Sequence, residues 1–151
     1  MAGALEIGVW ALLVVASVTD LLWSKIFNAL TFPFLVGGLL FRFFSFGLND
    51  LETALLSVGV AVLVFFPLYY SQVLAAGDVK LLMAAGAWLI PNETFKLAGL
   101  TIVIGAIAGL LILIFRKIVD KTKGKTRMPF APAFLCAFSF LKIAETRGWT
   151  W

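Results

Sequence analysis

The chain has 151 residues, of which 62% are hydrophobic and only 13% charged, with a net charge of +4 and a mean hydropathy of +1.06. That balance is far from a soluble domain's and places the chain in a membrane. The absence of histidine excludes the serine–histidine and cysteine–histidine nucleophile devices, and a single cysteine, Cys136, allows neither an internal disulfide nor a cysteine zinc site.

Crossing a bilayer takes roughly 20 apolar residues, and six stretches are candidates, at about 4–23, 29–47, 53–73, 79–91, 96–118 and 129–146. The expected fold is therefore all-α, a polytopic membrane protein of about six transmembrane helices, with 1–151 forming one membrane-embedded domain. The first stretch is interrupted in its last turns by Ser17, Thr19 and Asp20. The second follows Asn28, read as an N-cap, and tolerates Pro33 in its first turn. The third ends on Tyr69 and Tyr70, which suit a membrane interface. The fourth, Val79 to Ile90, is short and closed by Pro91, so it spans only in a thinned or protein-buried region. The fifth carries Gly105 and Gly109 at a small-xxx-small spacing that permits close helix approach. The sixth begins near Met128 and Pro129, with Pro132 suggesting an irregular start.

Lys and Arg in the connections set orientation. The connection after the fifth stretch holds Arg116, Lys117, Lys121, Lys123, Lys125 and Arg127 against Asp120 alone, which predicts a cytoplasmic loop. Alternation then places Lys25 and Lys80 on the cytoplasmic side as well, and both termini outside. A first segment without a basic leader, carrying Glu6, does not read as a cleavable signal peptide.

This topology brings Asp20, near the end of the first span, and Asp78, at the start of the fourth, to one face. Ionisable groups at the edge of a hydrocarbon span are costly and mark functional sites. Two carboxyls sharing one proton can divide the work of hydrolysis: one activates a water while the other protonates the scissile group. Gly77, directly before Asp78, allows a tight approach of backbone. Lys80 does not share a helix face with Asp78 and reads as a snorkelling, orientation-setting residue. No metal site or cofactor is expected, nor a nucleic-acid partner.

The segment Ala75-Ala76-Gly77-Asp78-Val79-Lys80-Leu81-Leu82 resembles the GxGD block of the type IV prepilin peptidase family. Asp20 followed by Lys25-Ile26-Phe27-Asn28 resembles that family's first aspartate block, and Met128-Pro129-Phe130-Ala131-Pro132 its proline-bearing late helix start. The three blocks stand in the family's order on a six-span profile. The resemblance implies a membrane aspartic endopeptidase of the cell membrane that removes the basic leader from prepilin-like membrane proteins at the cytoplasmic face. Asp20 and Asp78 would be catalytic, with Gly77, Lys80, Asn28 and Pro129 shaping the site. Ala75 replaces the motif's first glycine and Phe27 stands where proline is common, which implies altered loop geometry with both carboxylates kept. Without the cysteine-bearing cytoplasmic region of longer members, the chain is similar to the short form found with tight-adherence (Flp-type) pili. Independently of the family, the same two aspartates could instead serve as relays in a small ion or proton transporter.

Overall fold

Long runs of Leu, Val, Ala and Phe with almost no internal charge can satisfy their backbone in lipid only as helix. The computed structural model describes residues 2–119 and 130–148, and among them are six helices and no strand. These are α1 (Ala2–Trp23), α2 (Asn28–Phe46), α3 (Leu48–Tyr70), α4 (Ala76–Gly86), α5 (Pro91–Val119) and α6 (Ala131–Thr146). α1, α2, α3 and most of α5 are long and apolar enough to cross a membrane. α4 and α6 are shorter, at 11 and 16 residues. Large apolar side chains such as Ile7, Phe44, Leu63 and Leu111 stand exposed on the outside, the surface of a polytopic membrane protein rather than a soluble one.

Helix packing follows a ring. α1 touches α2, α2 touches α3, α3 touches α5, α5 touches α6, and α6 returns to α1. α4 lies within, packed against α1, α2, α3 and α5. This resolves why an 11-residue helix is stable: Val79, Leu81, Leu82, Ala84, Ala85 and Gly86 are all buried, so protein covers most of its surface, with Lys80 left exposed. In α1 the buried residues Val9, Leu12, Leu13, Ala16, Ser17 and Asp20 recur at helical spacing along one stripe. Asp20 is thus turned inward with the core.

A short helix ends where its last carbonyls would be stranded away from water. The carbonyls of Met83, Ala85 and Gly86 at the end of α4 accept from the N–H groups of Ala87, Trp88 and Leu89. In the turn that follows, Ser57 Oγ donates to the Leu89 carbonyl at 2.8 Å, and the buried Arg42 Nη2 donates to the Trp88 carbonyl at 2.9 Å. Arg42 Nη1 also pairs with Asp50 at 3.3 Å. Trp88 itself donates from Nε1 to the Phe34 carbonyl at 2.9 Å. Its ring fills the space left by two glycines, since a Cβ on Gly8 or Gly38 would fall within 2.7 Å of an indole atom.

Lys142, near the end of α6, gathers Glu6 of α1 at 3.0 Å, Glu93 of α5 at 3.5 Å and Glu145 at 2.9 Å. The starts of α1 and α5 and the end of α6 therefore meet at one end of the molecule. The opposite end joins the end of α1 to the starts of α2, α4 and α6.

Several boundaries differ from the sequence expectation. α3 begins at Leu48 rather than Thr53, because Gly47 at φ +86° turns the chain sharply out of α2 and Asp50 sits favourably in the first helical turn. Pro91 opens α5 instead of closing the fourth element, a position where its missing N–H costs nothing. The same reasoning makes the start of α6 regular: Pro132 lies in its first turn. Gly105 does not serve helix-to-helix contact, for its open side is covered by the Phe130 ring. Cys136 is exposed on α6. The basic run after the fifth helix and Pro129 fall largely outside the described residues.

Candidate active site

Asp20 and Asp78 both line one cavity of about 400 Å³ at the aspartate end, together with Ser24, Lys25, Ile26, Phe27, Asn28, Gly77 and Phe130. Each aspartate is about 95% buried, and the two lie within electrostatic reach of each other. Burial of this kind requires that polar atoms find partners.

Each carboxylate has one, and both are backbone amides at helix starts. The N–H of Ala131, the first residue of α6, donates to Asp20 Oδ2 at 2.9 Å. The N–H of Ala75, the N-cap of α4, donates to Asp78 Oδ2 at 3.0 Å, while the Asp78 N–H donates back to the Ala75 carbonyl at 3.1 Å. Asp78 is therefore the third residue of its helix, not the N-cap. Two helix N-termini, each equivalent to about half a positive charge, face the pair. The second oxygen of each aspartate makes no hydrogen bond among the described residues and is left for a water or a peptide group.

Local sequence explains these placements. α1 stops at Trp23, Ser24 adopts φ +50°, and the Ser24 N–H donates to the Asp20 carbonyl at 2.8 Å, so the chain turns away within one helical turn of the aspartate. Residues 25–27 then cross over the start of α4. Gly77 is used for close approach rather than for an unusual dihedral: a Cβ there would lie 3.2 Å from Ile26 Cβ, tight enough to push the two strands of the cavity wall apart.

Asn28 and Lys80 also come together, though not as expected. Asn28 is not the N-cap of α2; that position is Phe27, without a side-chain cap. The Asn28 amide instead accepts a hydrogen bond from Lys80 Nζ at 2.9 Å, because Lys80 leans from α4 toward α2 and away from Asp78. The partners missed by sequence reasoning are Phe130, which walls the cavity, and the Ala131 amide, which holds Asp20. Neither has a readable signal, as one is an ordinary apolar side chain and the other a backbone group 111 residues from its acceptor.

A ring of apolar helices with a buried carboxylate pair at one end is the architecture of an integral membrane protein. The model of the type IV leader peptidase family matches residues 7–115, a span that holds both aspartates, and the chain belongs to that family. The family match supports a leader-peptidase-like function in general terms. Comparison with curated proteins gives no match, and neither does comparison with solved structures.

Proposed function

We infer that the protein is an aspartic endopeptidase in which Asp20 and Asp78 are the catalytic pair, cleaving the basic leader from Flp-type prepilin-like proteins at the cytoplasmic face. The observation that carries this reading is the shared cavity: two buried carboxyls, each oriented by one amide hydrogen bond and each with a second oxygen available. With a single proton between them, the ionised carboxyl takes a proton from water as it attacks the scissile carbonyl. The other gives its proton to the developing tetrahedral centre, and the leaving amine is protonated as that centre collapses. Without histidine anywhere in the chain, carboxylates are the natural carriers of both roles. The cytoplasmic assignment is supported by Lys25 and Lys80 at the aspartate end and by the basic connection between α5 and α6.

Asp20→Asn and Asp78→Asn test it. Each amide can still accept from its backbone partner but cannot take up the water's proton. Processing of a co-expressed prepilin should fall by about 10²–10⁴-fold, with the variant present in the membrane at normal level. Wild-type processing by either variant refutes the pair.

A further inference from the structure

A second cavity of about 410 Å³ lies between α2 and α4, lined by Asn28, Thr31, Phe32, Leu35, Lys80 and Met83. Asn28 also lines the carboxylate cavity, so the two spaces adjoin at this residue. Apart from Thr31 and the polar pair at its head, the groove is apolar, and Phe32 is two-thirds exposed on its rim. Lys80 has no carboxylate partner among the described residues; its ammonium group is held only by Asn28.

We propose that this groove docks the apolar segment of the membrane substrate, and that Lys80 and Asn28 at its head fix how far that segment advances toward the carboxylates. The proposal rests on the peptidase reading above. An apolar helix lying along α2 keeps its own backbone satisfied, but a peptide bond cannot be attacked while its carbonyl is locked in that ladder. The chain must unwind before it reaches the aspartates, and unwound backbone at membrane depth is tolerated only where protein supplies partners. Lys80 donates hydrogen bonds, and the Asn28 amide both donates and accepts. The pair stands where the apolar groove gives way to the carboxylate cavity, at the point where freed carbonyls and amides would need them.

The test uses the full chain in membranes with a co-expressed prepilin, in the Asp78→Asn background to keep the substrate uncut. A photo-crosslinking benzoylphenylalanine in place of Phe32 should give an adduct of enzyme plus substrate. The same probe in place of Leu63, exposed on α3, should not. In the enzyme with both aspartates, Met83→Trp or Leu35→Trp, which fill the groove, should raise KM for the membrane substrate about tenfold with little change in kcat. The penalty should shrink for a soluble peptide that covers the cleavage site and lacks the apolar segment. Lipid adducts alone at Phe32, equal substrate adducts at Leu63, or equal penalties on both substrates in both variants overturn the groove while leaving the catalytic pair intact. Cleavage that survives Asp20→Asn and Asp78→Asn removes the catalytic reading instead, whatever the crosslinks show.

Discussion

At the scale of single residues, each aspartate combines an observed amide contact with a proposed catalytic role, and substitution can separate the two. Asp20 ties α1 to the start of α6 through the Ala131 amide, and Asp78 closes the first turn of α4 through Ala75. Asparagine keeps the acceptor and would lose only the proposed acid–base function, whereas alanine loses the acceptor as well. Asp20→Ala and Asp78→Ala should therefore unfold about 1–2 kcal/mol more easily than the corresponding Asn variants, the usual scale of a lost helix cap. Thermal or denaturant midpoints in detergent measure the difference, and equal stability of the two series would show that the amide contacts contribute nothing. That Asp20 and Asp78 share an end was legible from charge bias and span counting. The roles of Asn28 and Phe130 were not, because a cap and a side-chain partner look alike in sequence, and because an aromatic residue in an apolar chain carries no mark of what it walls.

Among the elements, α4 is anchored by polar residues far from the cavity. The turn that leaves its far end is held by Ser57 on the Leu89 carbonyl and Arg42 on the Trp88 carbonyl. Ser57→Ala should cost about 1–3 kcal/mol by leaving a buried carbonyl unpaired, and Arg42→Leu a similar amount. Both should lower thermal midpoints in detergent with the substrate KM unmoved, whereas a change confined to KM would mean that α4 is anchored elsewhere. The existence and order of all six helices could be read from hydropathy, and so could the shortness of α4. Their starts were harder to place. Gly47 and Pro91 each look like breaks, yet one turns the chain directly into α3 and the other opens α5.

For the molecule as a whole, the sequence concealed which face of each helix points inward. In a soluble helix the polar face reveals the buried one, but lipid accepts the same Leu, Val and Phe that the core does. Leu12 and Val14 of α1 are indistinguishable by type of side chain, although one is buried and the other exposed. The ring and the enclosure of α4 therefore emerge only from packing. Where charges do occur they mark long-range joins, as at Lys142. Replacing Lys142 by Met removes the cation among Glu6, Glu93 and Glu145, partly exposed carboxylates that then repel. We expect a loss of about 0.5–1.5 kcal/mol that diminishes in high salt, and a salt-independent loss would assign Lys142 to packing instead.

The 11 residues of α4 measure about 16 Å end to end, roughly half of a 30 Å hydrocarbon layer. Polar groups stand at both of its ends, so the bilayer beside α2 and α4 is asked to pinch inward or to admit water from one side. Hydrolysis by the proposed pair would consume water, and hydrophobic mismatch offers a route by which it arrives. Catalytic rate should then follow acyl-chain length: fastest in vesicles of thin lipids, and slower as longer chains bury the carboxylates beneath them.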